Sequence, residues 1–80
     1  MITVKFSATA KAVTGQDEIE VDAPTVRRLV RLLDERWPGL GEQLTDGMAV
    51  AINGEIIPDA LYEDIPDGAE VHFIPAIAGG

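Results

Sequence analysis

The stretch PTVRRLVRLLDERWP, residues 24–38, has the clearest helical period in the sequence and decides the fold. Its apolar residues recur at helical spacing, so the helix presents one apolar stripe. The stripe consists of Val26, Leu29, Val30, Leu33 and Trp37, with Leu32 at its edge. Thr25 is the predicted N-cap, and Pro38-Gly39 predicts the end of the helix. Since the stripe must be buried against another layer, the flanking segments decide the architecture.

The two ends of this helix carry residues that need an explanation. Arg27 and Arg28 lie in the first turn, where acidic residues would suit the helix dipole better, a conflict of up to ~1 kcal/mol. Residues that break such a rule are often functional. At the other end, Trp37 is predicted to cover the core rather than to hold a ligand.

Two alternating segments before the helix predict a pair of strands. Residues 2–8 place apolar side chains on one face, and residues 18–22 repeat the pattern with Ile19 and Val21 inward. Between them, residues 10–14 predict a helical turn that ends at Gly15. Because the connection is short, the two strands should pair antiparallel.

Three strands are predicted after the helix. Residues 48–52 and 55–57 flank Asn53-Gly54, a strong signal for a two-residue hairpin turn. The last strand, residues 69–74, follows the turn signal Pro66-Asp67-Gly68. The element order is therefore β-β-α-β-β-β.

The two remaining connections are predicted to be irregular. Residues 39–47 are polar and are predicted to form a loop. Residues 59–65 are predicted to cross over, with Leu61, Tyr62 and Ile65 tucked under the sheet.

This order predicts an α+β fold, with a mixed sheet of about five strands on one main helix. If the last strand runs parallel to the first, both are central, and the fold is the β-grasp or ubiquitin-like roll. The 80 residues are predicted to form one domain, with a β-grasp body at 1–74 and a free tail at 75–80.

The composition excludes several functions. With 14 acidic and 6 basic residues, the net charge of −8 disfavours nucleic acid and anionic membranes and favours a basic protein partner. The absence of cysteine excludes disulfides, thiol nucleophiles and thiolate metal sites. No apolar run approaches the ~20 residues of a membrane span. The alternating first residues differ from a signal peptide, so a cytoplasmic location is expected.

The side chains offer little catalytic chemistry. The single histidine, His72, is predicted on the outer sheet face, and the single serine, Ser7, is predicted in a strand without a base nearby. Neither a catalytic triad nor a histidine metal site can be built from them. The acidic residues lack the spacing of a calcium loop, so no metal site is expected.

The last six residues, PAIAGG at 75–80, carry no charged side chain, no hydroxyl and no imidazole or indole ring. They narrow to Gly79 and Gly80, which have no side chain. Glycine lacks Cβ, so an extended backbone can pass a narrow channel and its carbonyl can be approached closely. The α-carboxylate of Gly80, held out on an arm, is therefore the candidate reactive group.

Five segments, in order along essentially the whole chain, resemble the MoaD/ThiS family of ubiquitin-like sulfur carriers. They are KFSATAKAVTG (5–15), PTVRRLVRLLDERWP (24–38), VAINGEII (50–57), IPDGAEV (65–71) and VHFIPAIAGG (71–80). Within the family, the ending is most similar to that of the small subunit of molybdopterin synthase.

The resemblance implies a function for the tail. An E1-like activating enzyme would use ATP to adenylate the Gly80 carboxylate, and a sulfurtransferase would then supply the sulfur of a thiocarboxylate. In molybdopterin synthase, the tail enters the large catalytic subunit and gives its sulfur to a pterin precursor. The residues implied to thread into the partner are Gly79, Ala78, Ile77, Ala76 and Pro75. Phe73 and Ile74 are implied to contact the partner, while the chain itself binds no cofactor and is not an enzyme on its own.

Ala76 stands where the family has a second proline, so other pathways stay open. A carrier for thiamine thiazole, cysteine or another sulfur metabolite has the same Gly-Gly ending. A ubiquitin-like modifier would instead join Gly80 to lysines of target proteins, and in a plain β-grasp interaction module the ending would be accidental.

Overall fold

A computed structural model describes residues 1–45, 48–57 and 60–75 of the chain. The elements are β1 (Ile2–Phe6), α1 (Ala8–Thr14), β2 (Glu18–Val21), α2 (Val26–Arg36), α3 (Leu40–Thr45), β3 (Met48–Ile52), β4 (Glu55–Ile57), a 3-10 turn (Ala60–Tyr62) and β5 (Glu70–Pro75). The predicted strands are all present. The predictions for Ala76 to Gly80 lie outside the described residues.

The five strands form one mixed sheet in the order β2-β1-β5-β3-β4. The last strand, β5, lies between β1, to which it is parallel, and β3, to which it is antiparallel. The hairpins β1-β2 and β3-β4 are antiparallel. At the β3-β4 turn, Asn53 and Gly54 both have positive φ, as the predicted hairpin turn requires. This topology confirms the predicted β-grasp fold.

The pairing of β1 with β5 fixes which side chains face the helix. Val4 lies beside Val71, and Phe6 lies beside Phe73. Since side chains alternate along a strand, these four point to the same face, and Val4, Val71 and Phe73 are completely buried there. Lys5 and His72, which are also paired, point to the opposite face, as predicted for His72.

The helix α2 covers the buried face of the sheet as its apolar period predicts. The Thr25 hydroxyl oxygen accepts a hydrogen bond of 3.2 Å from the Arg28 amide, which confirms the N-cap. Leu29 and Leu33 are completely buried against the sheet. Just after the helix, the half-buried Trp37 packs edge-to-face on Phe6, with ring centroids 6.2 Å apart, and so covers the core as predicted.

The polar loop predicted for residues 39–47 is wrong, because residues Leu40–Thr45 form the helix α3. Leu40 and Leu44 lie one helical turn apart and are both buried in the core. The start of α3 is capped from a distance, since the Asp34 carboxylate in α2 accepts hydrogen bonds from the Gly39 and Gly41 amides at 3.0 and 2.9 Å. A cap located in the preceding helix leaves no local signature in the α3 sequence.

The predicted burial of Leu61 and Tyr62 is also wrong, whereas that of Ile65 is confirmed. Both Leu61 and Tyr62 are exposed in the 3-10 turn, and Ile65 is buried. The backbone explains this position: the Val26 amide donates to the Glu63 carbonyl at 3.0 Å, and the Ile65 amide donates to the Pro24 carbonyl at 2.8 Å. These bonds hold the turn against the start of α2 and away from the sheet.

The α-amino group of Met1 joins three segments at one end of the sheet. It lies 2.9 Å from the Asp22 carboxylate after β2 and 2.5 Å from the Asp67 carboxylate in the turn before β5. The Met1 carbonyl accepts a hydrogen bond of 2.8 Å from the Gly68 amide in the same turn. The hydrogen bonds that the α-amino group donates to the Asp67 and Asp22 carboxylates raise its pKa from the ordinary 8.0 to about 10, and the ammonium lowers the pKa of the Asp67 carboxyl.

We expect this ammonium to stabilise the fold up to about pH 8 and to lose that effect as the pH rises towards about 10. The raised pKa gives the direction, because the folded state holds the proton over a range in which the unfolded chain has already lost it. Acetylation of the Met1 amine should lower the melting temperature at pH 7 and remove this part of the alkaline loss. Melting curves of the free and acetylated chains between pH 7 and 10.5 measure the difference. An identical alkaline loss in the acetylated chain would contradict the expectation.

Removal of the Asp34 carboxylate should destabilise the fold, because it leaves two amides at the start of α3 without their acceptor. For Asp34→Ala we expect a loss of about 1–2 kcal/mol in the free energy of unfolding, measured by urea denaturation. The neighbouring exposed Glu35→Ala is the matched control and should stay within about 0.5 kcal/mol. Equal losses in both variants would show that the cap contributes nothing.

Candidate functional site

The candidate site is the end of the sheet from which the chain continues into its last residues. The strand β5 runs beyond its last pair with β1, which is Phe73 opposite Phe6. On its other side β5 still pairs with β3, with Ala49 opposite Ile74 and Met48 opposite Pro75. The central strand of the sheet therefore anchors Pro75, the first residue of the predicted tail, and the tail residues 76–80 lie outside the described part of the chain.

The side chains on the buried face of β5 fix the position of the strand up to Pro75. Phe73 is completely buried in the core, two residues before Pro75. The Phe73 side chain is therefore not available to a partner, and its predicted docking role is corrected: the alternation of β5 turns it towards α2 together with Val71. Ile74 points to the opposite face and is half-buried, so its predicted contact with a partner stays a prediction.

The outer face of the sheet beside this anchor carries a strip of apolar side chains. Cross-strand pairs place Ala49 beside Ile74, and Ala51 beside both His72 and Ile56. Ile56 is 62% exposed, which is unusual for a large apolar side chain in a strand. We call this set the apolar strip: Ala49, Ala51, Ile56 and Ile74, of which Ala51 is buried. Because two of its side chains are alanines, the apolar strip is shallow. Ile74 is adjacent to Pro75, which we call the root of the tail.

Sequence reasoning missed the apolar strip, although the signal was present. The segments 49–52 and 56–57 are continuous apolar runs rather than strict alternations. A continuous run means that both faces of a strand are apolar. Since one face of β3 and β4 packs on the core, the other must be covered by something else or remain exposed.

The β1-β2 side of the outer face is acidic. The Lys5 ammonium lies 3.5 Å from the Glu70 carboxylate, and the Lys11 ammonium lies 2.7 Å from the Asp17 carboxylate. Both pairs are exposed, so each contributes about 0–1 kcal/mol to stability. On the same face, Glu18 and Glu20 of β2 are exposed opposite Lys5 and Thr3, so acidic charge exceeds basic charge on this side and suits a basic partner surface.

The described side chains provide no activated nucleophile. Ser7 was predicted in a strand, but it is the residue before α1, and its buried hydroxyl has no hydrogen-bond partner. A serine without a neighbouring base stays a weak nucleophile. Within residues 1–45, 48–57 and 60–75, no three His, Asp or Glu side chains lie close enough to hold a metal ion. In the same ranges, no helix has the length and apolar character needed to cross a membrane.

Similarity to known proteins agrees with this arrangement. A model of the ThiS family matches residues 4–80. The molybdopterin synthase sulfur carrier subunit of Pyrenophora tritici-repentis is 29% identical over 82 residues, which cover 98% of this chain and 88% of that protein.

Solved structures show the same fold. A chain of the Amycolatopsis orientalis BexX/CysO complex superposes with a TM-score of 0.85 and 24% identity, and the match covers 100% of both chains. The small archaeal modifier protein 1 of Methanosarcina acetivorans superposes with a TM-score of 0.84 and 20% identity, covering 99% of this chain and 95% of that one. The family match extends from β1 through the Gly-Gly ending. The chain therefore belongs to the ThiS family, among the MoaD/ThiS ubiquitin-like sulfur carriers that its sequence resembles.

Proposed function

We propose that this protein carries sulfur as a thiocarboxylate on Gly80 and donates it to a pterin precursor in molybdopterin biosynthesis. The observation that carries the proposal is the position of β5. A central strand, paired on both sides, leads into an ending with no reactive side chain and two glycines. The similarity to a molybdopterin synthase sulfur carrier subunit over almost the whole chain supports this choice of pathway.

The chemistry takes place on the main chain. In an E1-like activating enzyme, the Gly80 carboxylate attacks the α-phosphorus of ATP, which gives an acyl-adenylate and releases pyrophosphate. Sulfur at the oxidation level of sulfide, delivered by a sulfurtransferase, then attacks the acyl carbon. The C–O bond to AMP breaks, AMP leaves with the electron pair, and a thiocarboxylate remains. ATP is thus a substrate of the activating enzyme, and the carrier supplies only the acyl group.

The composition of the tail suits this chemistry. Gly79 and Gly80 carry no Cβ, so the backbone can thread a narrow channel and the sulfur nucleophile can reach the acyl carbon. The absence of cysteine means that no thiol of this chain competes for the activated acyl group. The rigid anchor at Pro75 fixes where the tail starts, which lowers the entropy lost when the tail enters a partner.

The outer sheet face is the proposed docking surface for the partners. These are the activating enzyme and, for the last step, the large subunit of molybdopterin synthase. Ile74 and Ile56 supply apolar contact beside the tail root, and the acidic β1-β2 side supplies complementary charge.

A second candidate is a carrier that serves another pathway, such as the synthesis of thiazole or cysteine. Ala76 favours it, because the second proline of the molybdopterin branch is missing at this position. Alanine restricts the backbone less than proline does, so ordering this position in a partner costs more entropy. At comparable sites the difference is about 0.4–1 kcal/mol of free energy.

The proposal predicts a replacement of oxygen by sulfur at Gly80 when the chain is incubated with the activating enzyme, ATP and a sulfur donor. Intact mass spectrometry, followed by sequencing of the terminal peptide, measures it. Gly79→Ala should abolish the change because its added methyl group obstructs the threaded backbone, while the melting temperature stays unchanged. Ala78→Gly is the matched control and should react normally.

Addition of the molybdopterin synthase large subunit and the pterin precursor then tests the pathway. Formation of the dithiolene supports the proposal, whereas a thiocarboxylate that transfers sulfur only in another pathway supports the second candidate. An unmodified Gly80, or conjugates to lysines that disappear when Gly80 is deleted, would exclude sulfur carriage.

Ile74→Asp should weaken binding to the large subunit about tenfold, because it places a charge in the apolar strip beside the tail root. Isothermal titration calorimetry measures the affinity, and thermal unfolding checks that the fold is retained. Val13→Asp changes an apolar side chain in α1 that is 44% exposed, and should leave binding unchanged. Equal affinities for both variants would remove the apolar strip from the interface.

A further inference from the structure

The arginines of α2 are not explained by sulfur transfer. This helix contains four of the six basic residues of the chain together with two acidic ones, a net charge of +2. The rest of the chain therefore has a net charge of −10, which together with the +2 of α2 gives the total of −8. A protein that needed charge only for solubility would have no reason to collect its arginines on one helix.

Arg27, Arg28 and Arg31 gain no support from the helix dipole, whereas Arg36 lies in the last turn, where a positive charge suits it. The first turn contains Arg27 and Arg28 and no acidic residue, so both guanidinium groups face the positive end of the dipole. Arg31 follows Arg27 by four residues, which brings two like charges together on one helix face. Among the residues that the structure describes, no carboxylate lies within 4.0 Å of an arginine guanidinium.

An exposed aromatic side chain extends the same surface. Tyr62 is 74% exposed, and the Arg27 guanidinium carbon lies 5.7 Å from the centre of its ring. Arg28 and Arg31 line a shallow depression together with Leu32 and Glu35, so one carboxylate lies among the arginines of this surface. We call this surface the arginine face: Arg27, Arg28, Arg31 and Tyr62. Tyrosine and arginine are the residue types that most often dominate binding energy at protein interfaces.

The arginine face extends from the first turn of α2 to its middle at Arg31, whereas Phe73, two residues before Pro75, pairs with Phe6 near the other end of the helix. The 3-10 turn that carries Tyr62 is bonded to Val26, the first residue of the helix. Trp37, just after the last residue, packs on Phe6 near the root of the tail. Since α2 has 11 residues, the two ends are about 16 Å apart. A partner on the arginine face would leave Pro75, where the described chain enters the tail, uncovered.

We propose that the arginine face binds an acidic segment of a partner protein while the tail is engaged elsewhere. Guanidinium groups form paired hydrogen bonds with carboxylates, and the exposed Tyr62 ring offers an apolar anchor beside them. A long nucleic acid fits less well, because the charge of −10 on the rest of the chain would repel it. This surface is separate from the proposed docking surface on the sheet.

The test uses the ¹⁵N-labelled full chain and a short synthetic peptide of glutamates and leucines. In a titration followed by NMR, saturable shifts should be confined to the amides around Arg27 to Arg31 and Tyr62, and should weaken as salt is added. The double variant Arg27→Glu/Arg31→Glu should lose at least about tenfold in affinity. The matched control Lys5→Glu/Lys11→Glu makes the same change in net charge at the two remaining basic residues and should lose less than about twofold.

Three results would overturn the proposal: no saturable shifts, equal losses in the two double variants, or tighter binding of a thymidine oligonucleotide than of the peptide to this face. Circular dichroism establishes that both variants are folded, and Arg27→Gln/Arg31→Gln replaces the charge reversal if it is not. The arginine variants should still accept sulfur on Gly80. A failure of peptide binding is thus distinguishable from a failure of the proposed carrier function.

Discussion

Val4 lies beside Val71 and Phe6 beside Phe73 where the first and last strands run parallel in the centre of the sheet. The rest of the structure depends on this pairing. It brings the two ends of the sequence together, so the chain between them must cross over one face, and α2 is the segment that does so. The hairpin of β3 and β4 adds to the free edge of β5. Because Val4, Val71 and Phe73 are completely buried, the direction in which β5 leaves the sheet is fixed by the core itself.

This arrangement separates stability from reactivity. The body contributes packing, a fixed starting point for the tail and surfaces for partners, whereas the proposed reaction uses only main-chain atoms of Gly80. A side-chain nucleophile would need a base and a pocket, neither of which an 80-residue body with a thin core provides easily. In the proposed reaction, the main-chain acyl group needs only to be presented to the activating enzyme, which would supply the catalytic groups.

The fold could be predicted from the sequence because its decisive signals are local. The stripe and cap of α2, the Asn53-Gly54 turn and the alternation of β1 each occupy a few neighbouring residues. The failures came from interactions between distant segments. The α3 cap is Asp34, in the preceding helix. Tyr62 is apolar enough to suggest burial, but backbone hydrogen bonds to the start of α2 hold its turn at the surface.

The candidate site was predictable in part for the same reason. The composition of the Gly-Gly ending is a local feature, and so it pointed to Gly80 without any structure. The predicted docking role of Phe73 was wrong, because the alternation of side chains along β5 places Phe73 in the core and His72 on the outer face. The apolar strip depends on which strands become neighbours, because Ile74 in β5 meets Ala49 in β3 only after the crossover is complete.

The uneven distribution of charge has a consequence for how partners arrive. With +2 on α2 and −10 on the rest of the chain, the molecule has an electric dipole moment as well as a net charge. A basic enzyme surface would exert a torque on it during approach and turn the acidic sheet side, with the tail root, towards itself. Such steering raises association rates without adding contacts to the final complex. Under the proposed function, in which a small carrier visits several enzymes in turn, rapid encounters would matter more than tight binding.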